Sequence, residues 1–145
     1  MSGHDFFIAG RWRDRDRVRS VVDTVRASGR TAYCFIDHAY GGDLGAVAPG
    51  HGDPARFVEF TEALAQDDPV IRQIFEADLA AQRAADRFLL VLPAGIAGHI
   101  EAGISFGLGK PCFAVGVPDK TETLYCVFTR MFADLEALAR WLRTA

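Results

Sequence analysis

Cysteine is scarce in this chain, with 3 among 145 residues. No two of them stand in C-x-x-C spacing, which argues against zinc or thioredoxin-type redox chemistry. Cys34, Cys112 and Cys126 all lie in apolar segments, so buried free thiols in a reducing cytosol are expected rather than disulfides. His38, His51 and His99 are scattered, whereas zinc needs three or four convergent ligands; no metal and no cofactor is expected. No apolar run approaches the roughly 20 residues of a membrane span, and no signal peptide is visible. The expectation is a cytoplasmic protein without a membrane partner. An excess of one charge sign is also lacking. With 16 Lys and Arg against 19 Asp and Glu, the net charge is -3, which offers no bulk attraction to nucleic acid.

Phosphate-binding signatures are missing as well. A dinucleotide site wants G-x-G-x-x-G after the first strand, and the turn there reads AGRWRDR with a single glycine. Gly103, Gly109 and Lys110 do not make a P-loop, because Pro111 occupies the Ser/Thr place. A phosphoacceptor receiver domain would carry an acidic pair at the end of the first strand, where Ala9-Gly10 stands. There is no internal repeat, low-complexity tract or linker, so residues 1–145 are expected to form one domain.

What is present centres on Ala85 to Cys112. The run Phe88 to Leu92 is continuously apolar and bounded by Asp86 and Pro93, the pattern of a strand buried on both faces. A glycine-containing loop, Ala94 to Gly98, is expected to lead into a helix from His99 to Leu108. Gly109 would end that helix, with Lys110 in its last turn and Pro111 blocking continuation.

Upstream, Asp5 to Ala9 reads as a strand. The following segment carries Val18, Val21, Val22 and Val25 at helical spacing up to Gly29, and Thr31 to Ile36 is a second strand. Asp37 to Asp53 holds five glycines and a proline, an unusually long loop. Pro54 to Ala65 resumes helical spacing behind Asp53 as a cap. A further helix begins at Asp68-Pro69, with Val70, Ile71, Ile74, Phe75, Leu79 and Ala80 on its apolar side. After the central stretch, Pro111 to Val117 is a fourth strand, and Thr121 or Thr123 a candidate cap for one or two helical turns over Leu124 to Phe128. Arg130 to Phe132 is expected as a short edge strand and Asp134 to Arg143 as a terminal helix. Strands alternating with helices imply a doubly wound α/β fold, a flavodoxin-like parallel sheet of about five strands with helices on both faces.

In such sheets ligands bind beyond the carboxyl ends of the strands. Glu101 falls there, flanked by Gly98, Ala102 and Gly103. One reading makes it a first-turn carboxylate favouring the helix dipole by about 0.3–1 kcal/mol. The other makes it a functional carboxylate that small neighbours allow a ligand to approach. Asp78 similarly reads either as a solvated helix carboxylate or as a partner to Glu101.

Four motifs then occur in a telling order: FFIAG near the start, DLAAQRAAD before the central strand, GHIEAG in the form G-x-x-E-A-G, and GLGKP. Together with ETLYCVFTRMFADLEALARWL they resemble the nucleoside 2-deoxyribosyltransferase family, which includes the 2′-deoxynucleoside 5′-phosphate N-hydrolases. The resemblance is weakest between His38 and Pro69. It implies a flavodoxin-like fold, usually dimeric, that cleaves the N-glycosidic bond between a base and a (deoxy)ribose. By the same resemblance, Glu101 matches the nucleophilic glutamate and Asp78 the aspartate of a D-L-x-x-[LI] motif that contacts substrate and handles a proton. Phe7 falls beside the sugar, and Arg11 and Arg13 lie on the first loop, after Gly10, where the hydrolase branch gathers a 5′-phosphate. Thr123 to Tyr125 match positions that the family lends to a partner subunit, implying a homodimer or higher homo-oligomer with shared active sites. One departure is Gly95, where relatives often carry Asp or Ser; His99 is a candidate replacement donor beside Gly98.

Such chemistry suits two carboxyls. Positive charge develops at C1′ as the bond breaks, and a carboxylate against that carbon can stabilise it or form a glycosyl-enzyme. The leaving base needs a proton, so Asp78 is expected to have a raised pKa. A spacing of roughly 5–5.5 Å between the two is expected, as in retaining glycosidases. The run of arginines with Asp14 and Asp16 has a plain alternative reading as a salt-bridged, solvated face. The other functional class open to the sequence is a nucleotide-sensing or protein-interaction module that keeps the fold without turnover.

Overall fold

The computed structural model describes residues 3–37 and 69–145. The expected helix over Pro54 to Ala65, most of the long glycine loop, and His38 and His51 lie outside the described residues.

Five strands form one sheet: β1 (Phe6–Ala9), β2 (Ala32–Cys34), β3 (Arg87–Val91), β4 (Cys112–Val115) and β5 (Arg130–Phe132). The order is β2-β1-β3-β4-β5 and every pairing is parallel. This is the doubly wound order whose direction of winding reverses between β1 and β3. Four helices are described: α1 (Arg15–Ala27), α2 (Pro69–Ala84), α3 (Ile96–Gly107) and α4 (Leu135–Thr144).

Alternation along each strand sends side chains to two separate cores. Phe6, Ile8, Leu89, Val91, Phe113 and Val115 pack with Val18, Val21, Val22 and Val25 of α1 and with Leu138 and Leu142 of α4. Phe7, Ala9, Phe88, Leu90, Leu92 and Ala114 face the other way, toward Ala81 of α2, Ala102 of α3 and Phe128. In register across β2, β1 and β3 lie Tyr33, Phe7 and Phe88. Their rings stack, with centroids 5.5 Å apart for Phe7 and Tyr33 and 6.0 Å for Phe7 and Phe88.

The structure moves several expected boundaries. Helix α3 starts at Ile96 rather than His99, because Gly98 packs inside its first turn against β3; a Cβ there would stand 2.8 Å from Leu90 Cδ1. Glu101 is therefore in the second turn, beyond the reach of a strong dipole effect. Gly109, at φ +79°, ends α3 as expected. Lys110 lies just past the helix and turns away from it, donating to the carbonyls of Arg83 and Ala85 at 2.7 and 2.6 Å, where it satisfies the end of α2. A 3₁₀ turn over Trp12–Asp14 precedes α1, and another follows β2 at Phe35–Asp37. Neither Thr121 nor Thr123 caps the 3₁₀ turn Thr123–Val127. Glu122 does, accepting from the Leu124 N–H at 3.3 Å. Cys34 and Cys112 are buried, but Cys126 is exposed on that turn, which corrects the expectation for it. Among the described residues no helix is long and apolar enough to cross a membrane.

The buried face of α2 also differs from the expected one. Phe75 and Ala80 are exposed, while Ile74, Gln82 and Ala85 are buried and Asp78 and Ala81 are partly so. The spacing 74, 78, 81, 82, 85 is one helical stripe. Two of its members are polar, so a count of apolar residues places the stripe elsewhere.

Candidate active site

Helix α2 carries Asp78 and α3 carries Glu101 into the same part of the sheet face. Small residues make this possible. Gly98 and Ala102 are buried where α3 meets β3 and β4, so the helix lies close to the sheet and the intervening Glu101 is drawn partly inside. Both carboxyls are half-buried rather than solvated. Burial pushes the Asp78 carboxyl up to about 6. Burial first, and the charge of Asp78 second, push Glu101 up to about 8. The charge of Asp78 thus disfavours ionisation of Glu101, and interacting acids of this kind titrate as a pair.

A third group belongs to this cluster. The Tyr33 phenol is pushed up to about 12 by burial, then by the charges of Asp78 and of Glu101. Its ring stacks on Phe7, which is 3% exposed. Phe7, Tyr33, Asp78 and Glu101 are thus brought together from β1, β2, α2 and α3. Tyr33 was not among the residues singled out from sequence. It sits on a strand between Ala32 and Cys34, so alternation alone puts it on the opposite face from them, but only the register shows which ring it meets. Gln82, the residue in the final position of the D-L-x-x-[LI] pattern, was missed as well. It is buried, and its amide donates to the Glu101 carbonyl and, at 2.7 Å, to Ser105 Oγ.

The remaining candidates form a neighbouring group. Gly95 caps the start of α3 without a side-chain bond, and Arg11 lies over it, its Cγ 3.8 Å from where a Cβ on Gly95 would stand. Arg11 Nε donates to Asp14 at 2.6 Å. Arg13 is exposed. Gly10 abuts α1, where a Cβ would stand 2.6 Å from Val18 Cγ2, and Gly98 abuts Leu90; both serve close packing. His99 is tethered at both ring nitrogens, Nδ1 2.8 Å from the Gly95 carbonyl and Nε2 2.9 Å from the Tyr125 hydroxyl. With the Tyr125 ring stacked on it, His99 is a link between α3 and the 3₁₀ turn. Thr123 is exposed and donates to Glu122 at 2.9 Å.

A hollow of about 480 Å³ is lined by Ala94, Gly95, Ile96, His99 and Ile100, over the start of α3. A larger one, about 800 Å³, opens on the α1 and α4 side, between Arg17, Pro93, Val117 and Asp134. Neither Asp78 nor Glu101 lines either hollow; the smaller one ends at Ile100, the residue before Glu101.

No protein-family model matches the sequence, and no curated protein is similar to it in sequence. Among solved structures, the chain is similar to a 2-deoxyribosyltransferase from the psychrotolerant bacterium Bacillus psychrosaccharolyticus. The match has a TM-score of 0.65 and covers 92% of this chain and 89% of that one, at 16% identity. The likeness is one of fold. The sheet is flavodoxin-like, as the alternation of strands and helices implied.

Proposed function

We propose that this chain, as a single domain over residues 1–145, cleaves the N-glycosidic bond of a (deoxy)nucleoside or nucleoside 5′-monophosphate. Glu101 acts as nucleophile and Asp78 as proton donor to the leaving base. The deoxyribosyl group then passes to water or to another base. The observation that carries this reading is the shared burial of two carboxyls and a tyrosine, which raises both acids toward neutrality.

In the free site Glu101 holds its proton more tightly than Asp78, the reverse of the order that its role needs. Positive charge developing at C1′ corrects this, because a cation against Glu101 favours its ionised form and leaves the proton to Asp78. The partly exposed Tyr33 ring, backed by the buried Phe7, offers an apolar wall for the sugar. Arg11 beside the open N-terminus of α3 supports a 5′-phosphate, since guanidinium and free helical N–H groups both favour an anion.

A homodimer is part of the same proposal. Helix α3 leaves Ile96 81% and Ile100 57% exposed, and Leu124 near it is 71% exposed, an apolar surface suited to a second copy. A cytoplasmic location is proposed with it. The test is to incubate the protein with each deoxynucleoside and its monophosphate and to separate free base by chromatography. Base released by wild type and lost by a factor on the order of 10³ in Glu101→Ala supports the proposal. Binding across the panel without release would replace it with the sensing module.

A further inference from the structure

We infer that Gln82 is a positioning residue for Glu101, clamping α3 to α2 so that the Glu101 carboxyl is held at a fixed distance from Asp78. The inference rests on the proposed role of Glu101.

Among the described residues the buried polar side chains are Gln82, 2% exposed, and Ser105, 1% exposed. They bond to each other, Gln82 Nε2 donating to Ser105 Oγ at 2.7 Å, and the same amide donates to the Glu101 carbonyl. An apolar pair would fill this space without burying polar atoms, so their presence calls for a reason beyond packing. The spacing supplies one. Asp78 and Gln82 stand one turn apart on α2, and Glu101 and Ser105 stand one turn apart on α3. The two helices are therefore tied by a rung of amide and hydroxyl, one turn along from two acids of which one feels the charge of the other. In a helix the Glu101 carbonyl already accepts the N–H of Ser105, so the Gln82 amide is an additional donor that reaches across from the other helix. It fixes the backbone of the residue whose carboxyl feels the charge of Asp78. A rigid rung that holds the two acids near each other keeps the repulsion that adds to burial in raising Glu101; once the rung slackens they move apart and Glu101 ionises more easily.

The charged group that bears on the titration of the Glu101 carboxyl is Asp78 from α2, while Tyr33 from β2 feels the charges of both acids. His99, on α3 itself, is turned to Gly95 and Tyr125, and Cys112 from β4 points its thiol at the Ala102 and Lys110 carbonyls.

The experiment titrates the Glu101 side-chain carboxyl by carbon NMR in protein labelled at glutamate, with Glu101→Gln used to assign the signal. Gln82→Met keeps the length of the side chain and removes both donors. Its Glu101 midpoint should fall by at least about half a pH unit, and kcat for base release should fall by about tenfold with KM within about twofold. Ser105→Ala, which removes the hydroxyl half of the rung, covers the case in which the methionine variant does not fold, and should move the midpoint in the same direction by less. Ile74→Val loosens α2 one turn before Asp78 without touching a hydrogen bond, and should leave the midpoint in place. An unchanged midpoint in both rung variants, or an equal shift in Ile74→Val, overturns the clamp. If wild type releases no base, the glycosidase reading fails while the midpoints still judge the clamp. If wild type turns over and Gln82→Met does so equally well, the clamp fails and the reading stands.

Discussion

On one face of the sheet, α1 and α4 close over Phe6, Ile8, Leu89 and Val91 with valines and leucines. On the other, α2 and α3 bring Asp78, Gln82, Glu101 and Ser105 against Phe7, Tyr33 and Leu90. The first face gains from each side chain it buries, about 1.5–3 kcal/mol apiece for residues the size of valine and leucine. The second gives up part of that gain, since each half-buried acid must either stay protonated or lose hydration. Stability is concentrated on one face and strain of a useful kind on the other. This division is what makes the α2 and α3 face the place to look for chemistry.

The largest test of the comparison removes core volume from the stable face. Leu89 is fully buried between Ile8 and Phe113 in the sheet. Leu89→Ala should destabilise the chain by about 2–5 kcal/mol, read from urea unfolding, and should leave the Glu101 midpoint within about 0.2 of a pH unit. A shift as large as that of a rung variant would mean that the two faces are not energetically separate.

A smaller effect comes from the other face. Glu101 holds its proton up to about 8 against an ordinary 4.5, and Asp78 up to about 6 against 3.8. Between the ordinary and the raised value the folded chain binds more protons than the unfolded one, so stability falls as pH rises through that window. Glu101→Gln removes the larger of the two contributions. From about pH 5 to pH 8 it should lose about 1–3 kcal/mol less than wild type, the partial exposure of the carboxyl reducing the full linkage. Loss of the proposed nucleophile's carboxyl should thus leave the chain less sensitive to alkaline pH. Parallel urea titrations of the two proteins across that range decide it; equal losses would show that Glu101 is not held protonated by the fold.

Much of this was legible in the sequence, for reasons that differ from element to element. Val18, Val21, Val22 and Val25 repeat at helical spacing because α1 covers a wholly apolar face. Phe88 to Leu92 read as a buried strand because both faces of β3 are covered. The motif around Glu101 marked the right helix, though its start was placed three residues late, since Gly98 looks like a loop residue until Leu90 is seen against it. The face of α2 could not be read from hydropathy at all, because Asp78 and Gln82 point inward and the exposed Phe75 mimics a core position. Tyr33 and Gln82 needed neighbours from other elements. The first becomes visible through the pairing of β1 with β2, and the second through the approach of α2 to α3, and neither is a local property of the chain.

The smallest prediction is a control for the division between faces. Helix α4 belongs to the stable face, and Asp134 caps it by accepting the Ala137 N–H at 2.9 Å. Asp134→Ala removes that acceptor and should cost about 1 kcal/mol, with Leu138 and Leu142 still anchoring the helix from their buried positions. Sites far apart with no shared partner contribute additively. The stability of the variant, followed from about pH 5 to pH 8, should therefore run parallel to that of wild type, lowered by a constant amount. If instead the curves converge toward alkaline pH, the cap and the acid pair share a structural unit, and the sheet does not insulate one face from the other.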